Sequence, residues 1–98
     1  MSHVDLATKE EIKIKKPSKY NVILFNDDYT SFEFVISLLV QVFGHSAESA
    51  INLAQTIHLA GHGIAGTYSY EIAEQKKIES TELARANEFP LRVEIEPE

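Results

Sequence analysis

Three short β-rich apolar runs and three stretches of helical spacing, in the order strand, helix, helix, strand, helix, strand, predict an α+β fold. The expected architecture is a single two-layer domain, a three-stranded sheet packed against three helices (β-α-α-β-α-β), with a flexible N-terminal arm. The length agrees, since 98 residues suffice for one hydrophobic core and not for two. The absence of cysteine removes disulfide scaffolds, thiolate zinc sites and cysteine nucleophiles together.

Residues 1–17 are polar, lack a clean period and end at Pro17, so they read as a flexible N-terminal extension, with the core domain at 18–98. Tyr20 to Phe25 is a short apolar, β-rich run that reads as a buried strand. Asn26-Asp27-Asp28 stops it, because Asn and Asp side chains bond nearby backbone N–H groups and favour turns. Thr30-x-x-Glu33 has capping-box spacing, which starts a helix at Thr30. Phe32, Val35, Leu39 and Val42 repeat along it, and Gly44 ends it. A second helix fits Ser46 to Ala60, with Ser46 as N-cap and Gly61 after its last turn. Ala50, Ala54, Ile57 and His58 share one of its sides. Ile64 to Ser69 reads as a strand and Tyr70 to Ala86 as a third helix closed by Asn87. Leu91, Val93 and Ile95 alternate with Arg92, Glu94 and Glu96, a half-buried last strand after Pro90.

Charge narrows the partners. The net charge is −6, from 9 basic and 15 acidic residues. No Lys or Arg occurs from Tyr20 to Gln75, a stretch that holds Asp27, Asp28, Glu33, Glu48, Glu71 and Glu74. Nucleic-acid binding needs clustered cations, so no nucleic acid is expected; this region suits a cationic ligand instead. No apolar run reaches membrane-spanning length and the first residues lack a signal-peptide pattern, so no membrane association and a cytoplasmic location are expected. Nothing in the sequence demands more than a monomer.

Gly61-His62-Gly63-Ile64-Ala65-Gly66 matches G-x-G-x-x-G, but a dinucleotide site needs a strand before it and a helix after it, and the order here is reversed. The glycines are better explained by a helix end and a tight turn. His58 and His62 are four apart, yet Gly61 breaks the helix between them and no carboxylate completes an H-E-x-x-H set, so no metal and no cofactor are expected. His58 shares a face with Ala54 and Ile57. On spacing alone it is better described as a half-buried histidine bonded to a backbone carbonyl. Asn26-Asp27-Asp28 is likewise explained by a turn without any ligand. No nucleophile or catalytic set stands out, so no enzymatic activity is expected.

The run Lys19-Tyr20-Asn21-Val22-Ile23-Leu24-Phe25-Asn26-Asp27-Asp28-Tyr29-Thr30 resembles the signature of the ClpS family, bacterial adaptors of the ATP-dependent Clp protease. The likeness continues through Phe34-Val35, the helix carrying Ile57-His58, the turn from Gly61 to Gly66, Glu71-Ile72-Ala73-Glu74-x-Lys76 and Pro90-Leu91. It spans Pro17 to Glu96. The resemblance implies a non-catalytic adaptor. Such adaptors bind substrates with a free N-terminal Phe, Leu, Tyr or Trp (an N-degron) and deliver them to the N-domain of a ClpA-type AAA+ unfoldase. It implies α-ammonium binding by Asn26, Asp27 and His58, with Asp28 near the first peptide units. It assigns the side-chain pocket to Phe25, Thr30, Phe32, Val35, Ala54, Ile57 and Leu91, and unfoldase docking to Glu71 and Lys76. The family often carries Met where this chain has Phe32 and Ala54, which implies a reshaped pocket wall.

Two other readings remain at the level of sequence. The topology resembles the C-terminal domain of the ribosomal stalk protein, a protein-docking module without an amino-acid pocket. A small metal-dependent enzyme built on Asp27, Asp28 and His58 is the third.

Overall fold

The computed structural model describes residues 18–98; the expected flexible extension, residues 1–17, lies outside them. Six elements follow in the expected order: β1 (Tyr20–Phe25), α1 (Phe32–Gln41), α2 (Ala47–Ala60), β2 (His62–Tyr68), α3 (Tyr70–Ala86) and β3 (Arg92–Pro97). The three strands form one antiparallel sheet in the order β2-β1-β3. Two layers result, as expected.

The pleat divides the sheet into two faces. Val22 and Leu24 of β1 and Val93 of β3 join Val35, Leu38 and Leu39 of α1, Ala50, Ala54 and Ile57 of α2, and Ala73 and Ala84 of α3 in one buried cluster. Asn21, Ile23 and Phe25 alternate with them and turn to the opposite face. There Phe25 pairs with His62 and Arg92, and Ile23 with Ile64 and Glu94. Across this face the Thr67 hydroxyl donates to Asn21 Oδ1 at 2.6 Å.

Two local details differ from expectation. The N-cap of α1 is Ser31, whose hydroxyl accepts from the Phe34 N–H at 3.1 Å. Thr30 does not cap it, because its hydroxyl donates to Asp27 Oδ2 at 2.7 Å. The second strand begins at His62, two residues before the expected Ile64. Gly63 pairs with Leu24 there, and glycine carries little β propensity to mark it.

The helix ends follow the residues that specify them. Ser46 caps α2 by accepting from the Ser49 N–H at 3.1 Å, and Gly61 closes it at φ 94°, a backbone state that glycine adopts without a Cβ penalty. His45 fastens the start of α2 to β2. Its Nε2 lies 2.7 Å from the Ala65 carbonyl and its Nδ1 2.9 Å from Ser49 Oγ. A carbonyl only accepts, so Nε2 carries the proton and, in the neutral ring, Nδ1 accepts from Ser49. Ala65 sits where the β1–β2 register shifts between Val22 and Ile23, so this clasp holds a bulge in place.

Candidate functional site

The site grows from the turn after β1. The Asn26 N–H donates to the Gly61 carbonyl at 2.9 Å, which ties the end of β1 to the end of α2. The Asn26 side-chain amide donates to the His58 carbonyl through a long bond of 3.4 Å. Residues 32 positions apart in sequence are thereby held at one corner.

Asp27 organises the turn itself. Its Oδ1 accepts from the Tyr29 N–H at 2.8 Å and the Thr30 N–H at 2.7 Å, while Oδ2 accepts from the Thr30 hydroxyl at 2.7 Å. Partial burial works against the charge. The bonds from Thr30 and Tyr29, with the nearby Arg85 guanidinium, outweigh it and hold the carboxyl below the ordinary aspartate value of 3.8. A carboxylate offers about four acceptor positions, and the turn uses three of them. Asp27 therefore brings a fixed negative charge and one open acceptor position to the corner. Asp28 and His58 are exposed, and among the described residues neither side chain is hydrogen-bonded. The description of His58 as a half-buried histidine bonded to a carbonyl does not hold.

Between this turn and the two helices lies a cavity of about 280 Å3. Asn26, Asp27, Asp28, Thr30 and His58 line its polar side, and Phe32, Val35, Ala54 and Ile57 its apolar side. Ala54 and Ile57 are each 2% exposed, and Phe32 stands at 39%, so the first two form the floor and the third the lip. Gly63 makes that floor possible. A Cβ there would fall 2.8 Å from Ile57 Cγ1 and 3.2 Å from Leu53 Cδ1, so β2 passes under α2 only with a glycine at this position.

Nine of the expected residues thus meet around one hollow. Phe25 and Leu91, expected in the pocket, are not part of its lining. Phe25 belongs to the far face of the sheet, stacked on the His62 ring with centroids 6.0 Å apart and lying 4.2 Å from the Arg92 guanidinium carbon. The period-2 alternation with Val22 and Leu24 is the sequence signal that separates it from the cavity. Leu91, at 1% exposed, is part of the core cluster.

Glu71 and Lys76 lie on α3, away from the turn. Glu71 is exposed. Lys76 is half-buried, its Nζ donating to the Val42 carbonyl at 2.8 Å and lying 5.9 Å from the Tyr68 ring centroid. That ammonium fastens α3 to the end of α1, a contact that sequence spacing does not announce. Among the described residues no three His, Asp or Glu side chains are grouped so as to hold a metal ion, and no helix is long and apolar enough to cross a membrane.

Comparison with known proteins places this architecture. Residues 15–94 match the family model of the ATP-dependent Clp protease adaptor protein ClpS. Among curated proteins, an ATP-dependent Clp protease adapter protein ClpS from Hyphomonas neptunium is 47% identical over 96% of this chain and 80% of its own. Another, from Acetivibrio thermocellus, is 40% identical over the full length of both chains. Among solved structures, Agrobacterium tumefaciens ClpS2 bound to L-phenylalaninamide superposes with a TM-score of 0.80 at 38% identity, covering 85% of this chain and 100% of that one. A match over most of the chain, by family model, by sequence and by superposition of the fold, decides the family: the chain belongs to the ClpS adaptors of the ATP-dependent Clp protease.

Proposed function

We propose that this adaptor captures the first residue of a substrate chain and delivers that chain, unaltered, to the N-domain of a ClpA-type unfoldase. The α-ammonium group sits among Asn26, Asp27 and His58, Asp28 lies beside the first peptide units, and the side chain enters the hollow lined by Phe32, Val35, Ala54 and Ile57. The observation that carries this reading is the meeting of a fixed anionic turn with an apolar cavity of about 280 Å3. The complex of the Agrobacterium relative with L-phenylalaninamide, a free amine beside an aromatic side chain, supports it.

A chain N-terminus is a cation with three donors, so it calls for acceptors and negative charge. Each charge-assisted hydrogen bond contributes about 1.5–3 kcal/mol, and burial of a Phe or Leu side chain about the same. Association costs about 4 kcal/mol or more, so neither half alone leaves the net of about 8 kcal/mol that micromolar binding needs. The site therefore demands a free amine and a large apolar side chain together. The family's description as a protease adaptor supports a role in binding alone. Glu71, exposed near the start of α3, is the side chain offered for unfoldase docking. Lys76 supports that surface while anchored to Val42.

Fluorescence anisotropy with peptides beginning in Phe, free or N-acetylated, tests the capture step. The free peptide binds and the acetylated one does not; equal affinity overturns the reading. Delivery is tested with a Phe-initiated reporter, a ClpA-type unfoldase and its peptidase. The adaptor accelerates degradation of the reporter and Glu71→Ala reduces that acceleration, whereas an unchanged rate with and without the adaptor removes the delivery step. The stalk-type docking reading has no need of the cavity, and no observation favours it.

A further inference from the structure

A second hollow opens on the Tyr29 side of the same turn. Tyr29, Arg85, Glu88, Phe89 and Pro90 line a shallow cleft of about 480 Å3, open to solvent. Its walls are built. Arg85 Nη1 donates to the carbonyls of Phe89 at 2.9 Å and Leu91 at 3.0 Å. The Phe89 N–H donates to Ala84 at 2.8 Å, and its ring packs on Phe34 with centroids 5.1 Å apart. Glu88, at φ 63°, turns the chain sharply between α3 and this wall.

The two hollows share their partition. Asp27 and Asp28 line the first and Tyr29 the second, so consecutive residues of one turn divide them. Arg85, on the cleft side, acts electrostatically on Asp27 across the turn. In an extended chain, successive side chains point to opposite sides. A chain whose first side chain enters the cavity therefore turns its second one away from it. Tyr29 is 77% exposed and, with Phe89 and Pro90, offers aromatic and apolar surface. Arg85 and Glu88 contribute one charge of each sign at the rim, so the cleft itself has no net charge to select by.

We propose that this cleft is a second subsite of the same binding site, taking a bulky apolar or aromatic second residue of the captured chain. The inference rests on the capture reading above and extends it from one residue to two. Its test compares the affinities of phenylalaninamide, a Phe-Ala peptide and a Phe-Trp peptide for the wild-type protein and for Tyr29→Ala. That substitution keeps the backbone N–H that Asp27 holds. The Phe-Trp peptide binds about fivefold more tightly than Phe-Ala, as expected for partial burial of one large side chain. In Tyr29→Ala the difference shrinks below about twofold, while phenylalaninamide binds both proteins equally. Equal affinity of Phe-Ala and Phe-Trp for the wild type overturns the subsite while leaving the capture reading intact. So does a preference that survives Tyr29→Ala. Failure of phenylalaninamide to bind the wild type removes both.

Discussion

The two sides of the cavity are made in different ways. Apart from His58, the polar side comes from one turn, Asn26, Asp27, Asp28 and Thr30, whose shape comes from bonds between residues two and three apart. The apolar side comes from two helices and is positioned by a strand that passes beneath one of them at Gly63. A local device can be stiff even where solvent reaches it, whereas an apolar floor exists only when the whole core is assembled. Substitutions on the floor should therefore act on stability and binding together, and those at the corner mostly on binding.

The largest effect is expected on the floor. Ile57→Ala, at a site 2% exposed, should cost about 2–4 kcal/mol in chemical denaturation and weaken Phe-peptide binding as well. Stability within about 0.5 kcal/mol of wild type would show that the floor is not core. At the corner, His58→Ala should leave the denaturation midpoint unchanged and weaken a Phe-initiated peptide about tenfold, the equivalent of one hydrogen bond to a charged group. Affinity that is unchanged in this variant would move the acceptor role away from His58.

Asp27→Asn sharpens the contrast further. The folded carboxyl titrates below its unfolded value, so its stabilisation is present above about pH 4 and is lost as the pH falls through the lower, folded value. Discounted for the solvent that reaches the group, the variant should lose about 0.5–1 kcal/mol at pH 7. The gap between the two proteins should close in denaturation curves taken below pH 3.8. A gap that widens in acid would contradict the assignment of charge to the turn. The smallest effect, and of opposite sign, is expected at Ser80, whose buried hydroxyl has no hydrogen-bond partner among the described residues. Ser80→Ala should raise stability by up to about 1 kcal/mol, with binding unchanged.

The same contrast explains what could be read from the sequence. The turn was legible because its chemistry is contiguous: Asn-Asp-Asp reads as a turn, and the resemblance to the ClpS family assigns it a ligand. Element order and the helix ends at Ser46, Gly61 and Asn87 follow from local rules, and the structure agrees with them. Competition for a hydroxyl is harder to see. Thr30 and Ser31 both suit an N-cap, and only the three-dimensional turn assigns Thr30 to Asp27 and leaves the cap to Ser31. Facing was the other difficulty. Phe25 follows Leu24 in one strand, yet the pleat turns it to the far side of the sheet, toward Arg92 and His62. The tertiary roles of His45 and Lys76 rest on carbonyls of Ala65 and Val42, 20 and 34 positions away, and no local pattern points to them.

The central claim, that a fixed anionic corner and an apolar hollow act together on a free amine, is tested most directly by calorimetry with two ligands that differ by one group. Phenylalaninamide and 3-phenylpropanamide share the ring and the amide, and only the first carries the ammonium. The account predicts that phenylalaninamide binds at least about 30-fold more tightly, a little over 2 kcal/mol, and that the advantage falls in His58→Ala. Indistinguishable affinities would mean that the hollow recognises the ring alone, and the corner of Asn26, Asp27 and His58 would then have no part in recognition.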